Sequence, residues 1–203
     1  MSRFFMIFIM IFSTNTLFAE QETFPFIGVT VSSETVDLKP LIDISDENGK
    51  VLRPTSARET TFGLQFGVQT QDYRTTFTVE GNNNFQSVDV EVDYILFDQM
   101  FGTPKMRPYV GATLGYIHYD DDLITEYNKD IIAQYNTEST TVNNEDNKTS
   151  ISTSDGYYGL NLGFLFYITD DIDLDIGYHY YFMDRLEPLD TMNGPTFSLH
   201  YFY

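Results

Sequence analysis

The chain has 203 residues, with 30 Asp and Glu against 11 Lys and Arg, a formal charge of −19 and no cysteine. That length allows one domain of ordinary size or two small ones. The acidity argues against a nucleic-acid partner, whose phosphates need clustered Lys and Arg, and the lack of Cys excludes disulfides and thiolate chemistry.

Met1-Ser-Arg3 is a short basic stretch, Phe4 to Phe12 is apolar, and Leu17-Phe-Ala19 offers a small-residue cleavage site. This is the pattern of a secretory signal peptide over residues 1–19. The apolar part is too short for a membrane-crossing helix, and no later apolar run reaches that length. Residues 20–203 form the expected functional domain.

From there the chain reads with period two. In Phe24–Ser32, Ile27, Val29 and Val31 alternate with Gly28, Thr30 and Ser32. In Thr61–Thr70, Phe62, Leu64, Phe66 and Val68 alternate with Gly63, Gln65, Gly67 and Gln69. Tyr73–Glu80 sets Tyr73, Thr75, Phe77 and Val79 against Arg74, Thr76, Thr78 and Glu80. Ser87–Phe97 sets a row of valines, Tyr94 and Leu96 against Asp89, Glu91, Asp93, Ile95 and Phe97. In Tyr109–Tyr119, Val110, Ala112, Leu114 and Tyr116 face away from Gly111, Thr113, Gly115 and Ile117. Tyr158–Ile168 and Ile172–Phe182 form two more strands around the turn Thr169-Asp-Asp171, with Gly159, Asn161, Gly163, Asp173, Asp175, Gly177 and His179 on the polar face. Pro195–Tyr203 closes the series, with Phe197, Leu199, Tyr201 and Tyr203 against Thr196, Ser198 and His200.

Eight strands of about nine to eleven residues match the length that crosses a bilayer when tilted. The apolar faces end in Tyr and Phe, as at the two membrane interfaces, and the opposite faces carry small and polar residues that suit a narrow lumen. The predicted fold is therefore all-β: an eight-stranded antiparallel up-and-down transmembrane β-barrel. Connections alternate as such a barrel requires. Gln71-Asp72, Asp98–Pro108 and Thr169–Asp171 are short or modest, whereas Ser33–Thr60, Asp120–Gly156 and Met183–Gly194 are long and polar, and only Gly81–Gln86 is short on that side. The termini then fall on the short-turn, periplasmic side of the outer membrane. Asn48-Gly49 between apolar alternations signals a hairpin over Leu41–Leu52, and Tyr127–Asp155, rich in Ser, Thr and Asn, reads as a loose loop.

The architecture from Phe24 to Tyr203 resembles the OmpA-like eight-stranded outer-membrane β-barrel family, most specifically in Pro108–Tyr116, in Gly159–Phe182 and at the C-terminus. The resemblance implies that Phe197, Leu199, Tyr201 and Tyr203 form the C-terminal signal read by the barrel-assembly machinery. It also implies outer-membrane lipid and lipopolysaccharide as surroundings, and an extracellular ligand taken by the loops 33–60 and 120–156. The chain ends at that strand, so cell-wall tethering is not expected.

The polar faces place Glu80, Asp89, Glu91, Asp93, Asp173 and Asp175 inward against Arg74 alone, together with His179 and His200. Arg74 and Asp93, on strands joined by a short loop, are expected to form a lumen ion pair. Unpaired carboxylates do not stay ionised in a dry interior. A narrow cation-preferring path is one reading, and a plugged, hydrogen-bonded core, usual at eight strands, is the favoured one. Ser198 or His200 beside His179 would resemble the Ser/His pair of barrel lipid-A deacylases, but in that family the pair faces lipid, so no enzymatic activity is expected. Asp43–Gly49 fails as a calcium loop because Ile44 stands where the first Asp belongs. The rim acids Asp120, Asp121, Asp122 and Glu126 read as a solvated surface, and the Asn147 sequon as a chance match. No cofactor and no metal are expected.

Overall fold

The computed structural model describes residues 22–38, 55–97, 102–119, 154–183 and 189–203. The signal segment, the 41–52 hairpin, Asp43–Gly49, the acids at 120–122 and 126, Asn147 and nearly all of 127–155 lie outside the described residues. Eight strands, β1 (Phe24–Leu38), β2 (Thr55–Gln69), β3 (Tyr73–Gly81), β4 (Phe85–Ile95), β5 (Met106–Tyr119), β6 (Ser154–Tyr167), β7 (Ile172–Phe182) and β8 (Leu189–Phe202), follow one another in order. Each pairs antiparallel with the next, and β8 pairs with β1 to close the barrel. Closure leaves no edge strand with unpaired backbone groups, which is what hydrocarbon demands.

The alternating pattern decides which side chain faces which way. Ile27, Val29, Phe62, Leu64, Val92, Leu114, Leu160, Leu162, Phe197 and Leu199 stand outward and exposed. A continuous outer apolar surface of this kind is stable only against lipid. Aromatic pairs mark its borders: Tyr73 against Tyr94 near the short turns, with ring centroids 5.1 Å apart, and Tyr158 against Phe182 near the long connections, at 5.4 Å.

Several strands run farther than their apolar faces. β1 continues through Ser33 to Leu38 and β2 begins at Thr55, so the expected 33–60 loop is shorter at both ends. β6 likewise starts at Ser154 and β8 at Leu189. The inward alternation persists there, but the outward positions become Ser33, Thr35, Asp37, Arg58 and Thr60. These residues lie above the apolar band, where water replaces lipid, so the apolar signal of a strand is lost while the ladder goes on. β4, by contrast, stops at Ile95; Phe97 has φ +49° and is exposed rather than inward. The β1–β8 ladder skips Ser33 and Glu34, opposite Gly194-Pro195. Proline has no N–H to donate, and at Gly194 a Cβ would meet the Glu34 Cα at 3.0 Å.

Inside, large rings lie over glycines of neighbouring strands. A Cβ at Gly163 or Gly177 would come within 2.6 and 2.5 Å of the Tyr109 hydroxyl, and Tyr157 covers Gly115 in the same way. Toward the long-connection rim, Val36, Phe85, Ile117, Tyr157, Tyr181, Met183 and Met192 form an apolar cluster, each at most 2% exposed. Ile95, Tyr109 and Leu165 form a second cluster near the short turns. The charged groups lie between and beside them.

Candidate functional site

The centre of the lumen is organised by Arg74, which is 1% exposed. Register places it directly opposite Asp93. Its Nε and Nη2 each lie 2.8 Å from Asp93 Oδ2. Nη2 also reaches Asp175 Oδ2, on β7 across the lumen, at 2.6 Å, and Glu91 Oε1 at 3.5 Å. The guanidinium carbon sits 4.7 Å from the centre of the Tyr109 ring, whose hydroxyl donates to Asp175 Oδ1 at 2.9 Å. The Asn161 amide donates to Asp93 Oδ1. Three carboxylates thus share one guanidinium in a buried network, where each missing partner is costly.

Nearer the short turns, His200 Nδ1 lies 2.7 Å from Asp173 Oδ1 and Nε2 lies 2.8 Å from Gln65 Oε1. The Phe26 ring packs on the imidazole at 4.6 Å. His179 bonds the Tyr181 hydroxyl and has Nε2 3.6 Å from Glu91 Oε2. Ser198 donates to Thr30 Oγ1 at 2.9 Å. The residues weighed as a Ser/His pair are therefore separately engaged, and the arrangement needed for acyl transfer is not assembled.

The upper lumen, just below the apolar cluster, holds Glu80, Asp89 and Glu34. Glu80 is bonded by Thr61 Oγ1 at 3.1 Å and by Ser32 and Ser87 hydroxyls at 3.5 Å. Asp89 accepts from the Tyr157 hydroxyl at 3.0 Å. Glu34 is 0% exposed, and neither of its carboxylate oxygens has a hydrogen-bond partner. Burial first, and the neighbouring Glu80 carboxylate second, push its pKa up to about 8.

At the short-turn mouth, Arg107 donates from Nη1 to the Gln71 carbonyl at 2.5 Å and from Nε to the Phe97 carbonyl at 3.1 Å. Gln69 donates to the Tyr167 hydroxyl at 3.0 Å. These groups line an open recess of about 560 Å³ with Phe24, Asp170 and Phe202. Phe197, Leu199, Tyr201 and Tyr203 point outward from β8, each about half exposed or more. Among the described residues no trio of His, Asp and Glu side chains is arranged to hold a metal ion.

The expectation that Arg74 is the sole inward cation is corrected by Arg107, 8% exposed inside the mouth. Sequence reasoning also missed Glu34, because β1 was ended at Ser32. Tyr109 and Tyr157 were missed because they sat at or just outside the predicted strand ends. The usable signal was parity: Arg107 and Tyr109 share the step of Gly111, Tyr157 that of Gly159, and Glu34 that of Ser32.

No protein-family model and no curated protein matches the chain by sequence. Solved structures do match. Neisserial surface protein A is 14% identical over 90% of this chain and 100% of its own, with a TM-score of 0.54. Outer membrane protein H from P. aeruginosa is 18% identical over 89% of this chain and 99% of its own, with a TM-score of 0.49. The fold is that of the eight-stranded outer-membrane β-barrels.

Proposed function

We propose that the chain is an outer-membrane β-barrel that works as a closed, non-catalytic scaffold, holding its acidic long connections at the cell surface for membrane integrity, adhesion or partner binding. The observation that carries this reading is the filled lumen. The apolar cluster from Val36 to Met192 caps one end, and the Arg74 network occupies the middle. An interior so occupied leaves the long connections as the segments available to a partner. The outer apolar band and its aromatic borders support the membrane location. Neisserial surface protein A, which has the same fold, is named for a place at the surface. Residues 1–19 would direct export through the periplasm, and the outward aromatics of β8 would be read by the barrel-assembly machinery. Lipopolysaccharide would meet the band and the rim above it.

Two measurements test this together. In planar bilayers the purified protein should give no unitary conductance. Replacing residues 39–54 and 120–153 by short turns should abolish surface binding while leaving a barrel whose gel mobility still changes on boiling. A steady cation-selective conductance would replace this reading with that of a narrow channel lined by the buried acids. An altered acyl pattern on lipopolysaccharide incubated with the protein would instead point to an enzyme.

A further inference from the structure

The short-turn mouth opens into a recess of about 560 Å³. Phe24, Gln69, Tyr167 and Phe202, terminal residues of β1, β2, β6 and β8, line it together with the exposed acids Glu22 and Asp170. Phe26, 1% exposed, packs on Phe202 at 5.5 Å and on His200 at 4.6 Å, so a ring stands between the recess and the polar lumen. Gln69 is only 7% exposed; its Nε2 donates to the Tyr167 hydroxyl, and its Oε1 has no hydrogen-bond partner. A buried amide oxygen without a donor is costly, and a ligand that brings an N–H removes that cost. Arg107 does not turn the recess into an anion site. Its Nε and Nη1 are engaged by the Phe97 and Gln71 carbonyls, and its Nη2 faces Asp72 Oδ1 at 4.0 Å.

We propose that this recess is a binding site for a small aliphatic polyamine, entered from the short-turn side. One ammonium group donates to Gln69 Oε1, the acceptor the protein leaves unpaired. The carboxylates of Glu22 and Asp170 supply the charge that balances the ligand. The rings of Phe24, Tyr167 and Phe202 take the methylenes, and their faces attract the ammonium groups as well. Such a ligand alternates cationic and apolar parts, as this lining alternates acceptors with rings. A bare calcium ion is a poorer fit, because much of the lining is aromatic carbon and calcium takes six to eight oxygens. A recess of this volume is in the range that holds small organic molecules. The ligand does not pass Phe26, so the site is compatible with a lumen that does not conduct.

The test titrates the purified protein, folded in detergent micelles, with spermidine at fixed ionic strength and follows binding by calorimetry. The expected result is one saturable site that magnesium chloride of equal ionic strength does not displace. The double change Glu22→Gln, Asp170→Asn should lower the affinity about tenfold, the worth of two part-exposed ion pairs. Gln69→Leu should lower it about fivefold, the worth of one hydrogen bond. Asp37→Asn, at the opposite rim, should bind as wild type does. The change in gel mobility on boiling reports that each variant is folded, and Phe24→Leu, which removes a ring and no charge, replaces Gln69→Leu if that variant does not fold. The proposal is overturned if spermidine shows no saturable site or if magnesium displaces it. It is equally overturned if the double variant or Gln69→Leu keeps wild-type affinity, which would place spermidine on the acidic surface at large.

Discussion

Replacing Arg74 by Met keeps the volume and the buried stem of the side chain but removes the charge. The loss is then mainly electrostatic. Asp93 Oδ2 loses two contacts at 2.8 Å, Asp175 Oδ2 loses one at 2.6 Å, and Glu91 loses its cation at 3.5 Å. Asp93 is 0% exposed and Asp175 3%, so water cannot take over. Breaking a buried ion pair from one side costs about 3–5 kcal/mol. The Asn161 amide and the Tyr109 hydroxyl still bond the two aspartates, which argues for the lower half of that range. The assay is urea unfolding of the protein in lipid vesicles, read by the change in gel mobility on boiling. The triple change Arg74→Met, Asp93→Asn, Asp175→Asn should recover most of the loss, because it removes the stranded charges together with the cation. A loss below about 1 kcal/mol for Arg74→Met, in the range of exposed pairs, would refute the reasoning and mean that water reaches these carboxylates.

Gly163→Ala places a methyl 2.6 Å from both the Ile176 carbonyl oxygen and the Tyr109 hydroxyl. It should destabilise the barrel by about 1–3 kcal/mol, as overpacking does, and a urea midpoint equal to wild type would argue against the ring-over-glycine packing. Leu162, outward and 57% exposed near the middle of β6, should cost about 2–4 kcal/mol when changed to Arg; a neutral result in vesicles would contradict a lipid-facing position. The raised pKa of Glu34 predicts a pH dependence of stability. The folded protein retains a proton there up to about 8 while the unfolded chain releases it near 4.5. Stability is therefore full below pH 4.5 from this group and falls as pH rises to about 8, by at most about 5 kcal/mol. Glu34→Gln should flatten that slope, and an unchanged slope in the variant would assign the dependence to other acids.

The strand pattern alone carried the fold. Where lipid lies on one side and a narrow lumen on the other, Phe62-x-Leu64-x-Phe66-x-Val68 has one acceptable orientation, and a shift of one residue would put every apolar side chain inward. Parity also separated Arg74, Asp93 and His200 from their lipid-facing neighbours. It weakened where the strands leave the membrane, because Ser33, Thr35 and Asp37 no longer carry the apolar signal, and Glu34 was lost with them. What the linear pattern lacks is stagger across the lumen. Whether Arg74 meets Asp175, on a strand four removed, or Tyr157 meets Asp89 depends on the tilt and shear of the closed barrel. Closure also turned a row of acids into four unlike settings. One set shares a guanidinium at the centre, one aspartate holds His200, Glu80 and Asp89 take hydroxyl donors, and the carboxylate oxygens of Glu34 are left without a hydrogen-bond partner.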